Sequence, residues 1–320
     1  MKILLFFVLS AAAACQTVTI AAHRLTSAPI LSPRPGWMSL GVFNPAATQL
    51  NGKTILLFRA QDDRHTSRIG YAEATDGLHF TVRPDPVLSP EAEYERNGGV
   101  EDPRLLKIDG TYYLTYTGYD EHAAQLCLAI SKDLIHWERK GVILPAYKGT
   151  WNEQWTKSGA IVPKKIAGKW WMYYLGTRKD ADGKERDYMG LAESNDLLHW
   201  RDATKEPVLP RRPGAFDSRV MEPGAPPFPT SRGILLLYNG ADEKLVYGPG
   251  WALFDAEHPD RLIGRSEQAF ALPRLTWEKI GNVPNVIFVE GEVGTLADMV
   301  AYYGAADKYI GAMRVQVAIH

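Results

Sequence analysis

Short apolar, aromatic runs alternate along this chain with turns that carry glycine. Asn51-Gly52 precedes Ile55-Leu56-Leu57-Phe58, Asp109-Gly110 precedes Tyr112-Tyr113-Leu114, and Ala167-Gly168 precedes Trp170-Trp171-Met172-Tyr173-Tyr174. Runs this short, bounded by turn-forming dipeptides, predict β-hairpins rather than helices. Weaker copies follow at Arg232-Gly233 before Ile234 to Tyr238, and at Glu292 to Gly294 before Met299-Val300-Ala301-Tyr302-Tyr303. A second pattern rides on the first. Ala74-Thr75-Asp76-Gly77-Leu78-His79-Phe80 returns as Ser131-Lys132-Asp133-Leu134-Ile135-His136-Trp137 and as Ser194-Asn195-Asp196-Leu197-Leu198-His199-Trp200, at a spacing of about 60 residues.

Five copies of the hairpin unit span about residues 41 to 318, which predicts an all-β chain built as a five-bladed β-propeller, with one domain over residues 24–320. The alternatives are a β-sandwich or a β-helix; a sandwich has no reason to repeat one His-aromatic turn at a fixed interval. His79, His136 and His199 fall on different copies, away from one another. They read as turn residues rather than metal ligands.

Composition narrows the function classes. With 36 Lys and Arg against 37 Asp and Glu in 320 residues, and no basic run interleaved with aromatics, nucleic acid is not an expected partner. Lys2, the apolar run Ile3 to Leu9 and the small residues Ser10 to Ala14 predict a signal peptide over residues 1–14, too short to span a bilayer. Cys15 then resembles a bacterial lipidation site, with Ala12 where that motif usually has Leu; lipidation and simple cleavage both stay open. The expected location is the periplasm or, through a lipid, the outer membrane. Cys127 is the one cysteine left in the body of the chain, so no internal disulfide can form, and Leu126 and Leu128 beside it mark a buried strand residue.

In a propeller the first strand of each blade lines a central channel. Placing the copies in register brings Asn44-Pro45, Asp102-Pro103, Ser158-Gly159 and Glu222-Pro223 together, with Val283-Pro284 as a loose fifth. Polar groups converging from several blades make a site, and cleavage of a glycosidic bond needs one acid for the leaving oxygen and a nucleophile or base on the opposite face. Asp102 and Glu222 come from different copies and suit those roles. A plainer reading makes Glu101-Asp102-Pro103-Arg104 a turn ion pair, makes Arg59 and Asp62 a strand-end salt bridge, and leaves Trp151 and Trp155 to close gaps rather than stack on sugars.

The segments Phe43-Asn44-Pro45-Ala46, Phe58-Arg59-Ala60-Gln61-Asp62, Gly99-Val100-Glu101-Asp102-Pro103-Arg104, Gly224-Ala225-Pro226-Pro227 and Tyr302-Tyr303-Gly304-Ala305-Ala306-Asp307 resemble, in order, the motifs of glycoside hydrolase family 130. That family comprises five-bladed propellers acting on β-mannosides, as phosphorylases or as β-1,2-mannosidases. The resemblance implies that Asp102 is the general acid, and that Asn44, Arg59, Asp62, Arg104 and Asp307 hold the mannosyl unit. Glu101, Lys157, Tyr238 and Asn239 are further candidate substrate contacts. The basic residues with which family phosphorylases grip phosphate are replaced here by Tyr174-Leu175-Gly176, Arg219-Val220-Met221-Glu222 and Tyr238-Asn239-Gly240. The expected activity is therefore inverting hydrolysis of β-mannosides, β-1,2-linked, with Glu222 or Glu267 as base and without cofactor or metal. Phosphorolysis is the alternative, with Arg178, Lys179 and Arg186 as the nearest remaining basic residues, and a non-catalytic glycan-binding propeller is a third.

Overall fold

A computed structural model describes residues 17–320; the expected signal peptide and Cys15 lie outside them. The strands, in chain order, are β1 (Val18–Arg24), β2 (Gly41–Leu50), β3 (Lys53–Gln61), β4 (Ser67–Ala74), β5 (Thr81–Val82), β6 (Gly99–Ile108), β7 (Thr111–Tyr119), β8 (Ala124–Ser131), β9 (Glu138–Leu144), β10 (Thr156–Ile161) and β11 (Trp170–Lys179). They continue as β12 (Glu185–Ser194), β13 (Trp200–Asp202), β14 (Val220–Pro223), β15 (Phe228–Thr230), β16 (Gly233–Ala241), β17 (Tyr247–Phe254), β18 (Leu262–Arg265), β19 (Ile287–Thr295), β20 (Asp298–Ala305) and β21 (Tyr309–Ile319). The all-β expectation holds: the described residues add only two single-turn helices, Glu93–Glu95 and Thr276–Lys279.

These strands make five antiparallel meanders, β2-β3-β4-β5, β6-β7-β8-β9, β10-β11-β12-β13, β14-β16-β17-β18 and β19-β20-β21. The fifth is completed by β1, which pairs with β21 from Val18↔Ile319 to Arg24↔Met313. The folded unit thus starts upstream of the expected boundary at residue 24. Arg24 is fixed there by Glu278, whose carboxylate takes the guanidinium Nε at 2.6 Å.

Inner strands such as β3 and β16 are buried along most or all of their length. Each meander packs against a neighbour on either face, so its inner strands read as near-continuous apolar runs instead of alternating ones. Tyr173 stacks on Phe254 at 4.5 Å between the third and fourth meanders. The repeated turn has one geometry throughout. The Oδ1 of Asp76, Asp133 and Asp196 accepts the amides two and three residues on. The Oδ2 lies 2.6–2.7 Å from Nδ1 of His79, His136 and His199. The imidazoles stay exposed while Trp200 goes inside, so the motif encodes a turn.

The opening strands stand side by side: β19 against β2, β2 against β6, β6 against β10 and β10 against β14. Their approach depends on glycine at two points. A Cβ on Gly291 would lie 2.4 Å from Pro45 O, and one on Gly224 would lie 2.8 Å from Val289 O.

Candidate active site

Four of these opening strands carry a β-bulge at the same level. The pairing register slips between Phe43 and Pro45, between Glu101 and Arg104, between Lys157 and Ala160, and between Val289 and Gly291. Asn44, Asp102 and Ser158 occupy three of the bulges with φ of 48°, 49° and 59°. A bulge re-aims a side chain that regular pleating would send into a sheet-to-sheet interface, and Asn and Asp tolerate the left-handed region better than most residues. The fourth bulge falls at Glu290. The expected fifth position, Val283-Pro284, is therefore corrected to Glu290-Gly291: Val283 precedes β19 in the loop that roofs the site, and the residue in register is an acid.

A cavity of about 160 Å³ opens over these bulges, walled by Asn44, Arg59, Asp102, Lys157, Glu222, Tyr247, Phe288 and Asp307. Asp102 is its best-held group. Oδ1 accepts from Asn44 Nδ2 at 2.8 Å and from Arg59 Nη1 at 3.1 Å, whereas no described residue hydrogen-bonds to Oδ2. Arg59 also donates from Nη2 to Glu101 Oε1 at 2.6 Å and from Nε to Ser67 Oγ at 3.0 Å, and it lies 4.7 Å above the Phe43 ring. Behind Asp102, Arg104 is buried and held by carbonyls, with Nη1 on Asp102 O at 3.0 Å, Nη2 on Pro223 O at 2.9 Å and Nε on Gly224 O at 3.3 Å.

Burial and charge pull these groups in different directions. Burial raises the proton affinity of Asp102, but Arg59, then Arg104 and Lys157, outweigh it and hold the carboxyl below its usual range. Glu101 and Glu222 go the other way, pushed up by burial in spite of Arg59 and Arg104 respectively. Asp307 is pushed up to about 7, again by burial. Burial disfavours the Lys157 ammonium, yet Glu222, Glu101 and Asp102 keep its pKa above the ordinary lysine value. Glu222 is fixed by a short hydrogen bond from the Ser158 hydroxyl and stands 3.8 Å from Arg104 Nη2.

Of the residues singled out from sequence, Asn44, Arg59, Asp102, Lys157, Glu222 and Asp307 share this cavity, with Glu101 and Arg104 directly behind it. Four others do not line it. Asp62 closes its own loop, accepting the amides of Arg64 and Thr66 at 3.0 Å and Arg68 Nη1 at 2.8 Å. The Tyr238 hydroxyl donates to Asp217 at 2.6 Å. Asn239 exchanges two hydrogen bonds with the Val289 backbone, at 2.9 and 2.8 Å, and so pins β16 to β19. Glu267 has a 90% exposed side chain paired with Arg212 at 3.3 Å. Arg178 and Arg186 are likewise engaged, with Asp180, Asp182 and Glu206. Sequence reading passed over Glu290, Ser158 as a Glu222 partner, Tyr247 and Phe288.

Residues 26–318 match the profile of glycoside hydrolase family 130, described as β-1,4-mannooligosaccharide phosphorylase. The chain belongs to glycoside hydrolase family 130. It is 38% identical over 300 residues to a 1,2-β-oligomannan phosphorylase of Thermoanaerobacter sp. strain X514, covering 90% of this chain and 95% of that one. It is 32% identical over 311 residues to a β-1,2-mannobiose phosphorylase of the same strain, covering 92% and 96%. Among solved structures it resembles, at 33% identity, a TM-score of 0.82 and coverage of 92% and 93%, one reported with the finding that the family of mannoside phosphorylases contains glycoside hydrolases that target β-1,2 mannosidic linkages in Candida mannan.

Proposed function

We propose that this family 130 protein removes the terminal mannosyl unit of β-1,2-linked mannosides by one displacement at the anomeric carbon, with Asp102 protonating the leaving oxygen. The observation that carries this reading is the asymmetry of Asp102: one oxygen is fixed by Asn44 and Arg59, and the other is free for a substrate. Arg59, then Arg104 and Lys157, hold the Asp102 carboxyl below its usual range. A sugar that displaces water adds desolvation and raises the proton affinity of the acid where the proton is needed. The five meanders are taken as blades of a propeller, supported by the order of the opening strands and by the β1–β21 closure.

The two phosphorylase relatives, aligned over nearly the whole chain, favour inorganic phosphate as acceptor, and phosphorolysis is the first reading on that ground. Arg59 and Lys157 are the cations facing the cavity. One feature favours water instead. Asp102, Glu222 and Asp307 set three carboxyls against those two cations, and an ionised Glu222 repels a phosphate dianion while offering a base. Incubation with β-1,2-mannobiose, with and without phosphate, decides between them. Mannose 1-phosphate formed only with phosphate supports the first reading, and free mannose formed without phosphate supports hydrolysis. Binding without turnover in either condition overturns both in favour of a glycan-binding protein. Export through the N-terminal leader, with or without a lipid on Cys15, completes the proposal and is checked by fractionation and mass measurement of the native protein.

A further inference from the structure

Glu290 occupies the fourth bulge, and its surroundings are unusual for an acid. Its side chain is fully buried, and neither carboxyl oxygen has a hydrogen-bond partner among the described residues. Its nearest cation is Arg104, with Nη2 at 3.4 Å. That same nitrogen already donates to Pro223 O and lies 3.8 Å from Glu222 Oε1. On its other side Glu290 borders a second cavity of about 200 Å³, whose wall is apolar residues such as Ala46, Leu105, Ala225 and Phe228, with Glu292 as the other acid. The charged groups facing it are Arg59 from β3, Asp102 and Arg104 from β6, Glu222 from β14 and Glu292 on its own strand. One guanidinium therefore stands among Asp102, Glu222 and Glu290.

A buried carboxylate to which no described residue donates a hydrogen bond, and which shares its one counter-ion with a second acid, is strongly disfavoured in its ionised form. Releasing the proton from Glu290 would also draw Arg104 toward it and away from Glu222 and Asp102. Burial acts in the same sense, raising the proton affinity of Glu290 well above that of an ordinary carboxyl.

We propose that Glu290 is a positioning residue that works as a neutral acid: by keeping its proton beneath Arg104 it leaves the guanidinium charge to Glu222 and Asp102. The rate measurement below rests on the mannoside-cleaving reading; the spectroscopic one does not.

The test is Glu290→Gln, with Glu292→Gln as a control for the second cavity. An amide matches a neutral carboxyl in size and charge, so near neutral pH Glu290→Gln should lose far less kcat than Glu290→Ala, which leaves Arg104 without the group beneath it. The fall in kcat that deprotonation of Glu290 causes at alkaline pH should vanish in Glu290→Gln and persist in Glu292→Gln. The infrared difference between native protein and Glu290→Gln near neutral pH should contain the band of one protonated, buried carboxyl. A uniform loss of kcat at every pH, an unchanged alkaline limb or a difference spectrum without that band overturns the proposal. So does a Glu290→Gln protein that fails to fold, because removing a neutral acid would not unfold it. If native protein turns over no mannoside with or without phosphate, the functional reading fails while the infrared result still decides the state of Glu290.

Discussion

Asn44 and Asp102, each in the left-handed region at the bulge of its own strand, are joined by a 2.8 Å hydrogen bond from Asn44 Nδ2 to Asp102 Oδ1. Two adjacent meanders thus orient one carboxylate. If that carboxylate is the acid, Asp102→Asn should lower kcat on β-1,2-mannobiose by about 10²–10⁴-fold. An aryl mannoside with a good leaving group needs little protonation and should lose far less. Equal losses on the two substrates would make Asp102 a shape-giving residue only.

Gly304 guards the same contact from the far side. A Cβ there would lie 2.5 Å from Asn44 Oδ1 and 2.9 Å from Asn44 N. Gly304→Ala should therefore displace Asn44, destabilise the fold by about 1–3 kcal/mol and lower kcat. Denaturant titration and steady-state kinetics on the same preparation check both effects, and a variant unchanged in both would show that the strand gives way freely.

Arg59 bridges Glu101 and Asp102 with two different nitrogens. Lysine keeps the charge but has no planar fork with which to hold both carboxylates. The expected result for Arg59→Lys is a loss on the order of 10²-fold in kcat/KM from misplacement of Asp102. Near-native kinetics would show that charge alone suffices.

Glu222→Gln separates the two acceptors. Without its carboxylate the cavity loses the negative charge that acts most strongly on Lys157, so phosphate-dependent cleavage should be preserved or enhanced. Phosphate-independent release of mannose should fall by about 10²-fold or more. Product analysis with and without phosphate gives both numbers from one protein.

Stability should fall as pH rises through the neutral range. Burial pushes Glu292 up to about 8 and Asp307 up to about 7, whereas the unfolded chain releases these protons near the ordinary carboxyl values. The folded protein then binds more protons than the unfolded one, and the slope of unfolding free energy against pH is negative between about pH 4.5 and about pH 8. Glu292→Gln should flatten that slope, as read from urea midpoints across the range. An unchanged slope would mean that Glu292 ionises freely in the folded state.

Much of this was legible in the chain. The hairpin rhythm and the Asp-His turn depend on local chemistry, with Gly52, Gly110 and Gly168 all at positive φ and Asp76, Asp133 and Asp196 bonding to their own loops. The resemblance of short motifs led to Arg59, Asp102 and Asp307. What escaped was decided by register. Val283-Pro284 imitates Asp102-Pro103 in sequence, but the bulge lies farther on, at Glu290-Gly291, where the register slips as it does at Ser158-Gly159. Tyr238 and Asn239 pair across strands with Pro223 and Glu222, yet their side chains turn toward Asp217 and the Val289 backbone. No local pattern fixes where a loop carboxylate such as Glu267 points, and it turns outward to Arg212.

The pairing of Val18–Arg24 with Met313–Ile319 also fixes an order of assembly. During synthesis β1 emerges before any other described strand, and its partner emerges last. It must wait, unpaired, for almost the whole chain to be made, and only its arrival covers the outer edge of β21. A protein cut back past Arg24 would present that edge, with its free amides and carbonyls, to any neighbouring chain. Pairing between segments this far apart in sequence slows folding, and it makes the first described strand the latch of the fifth meander.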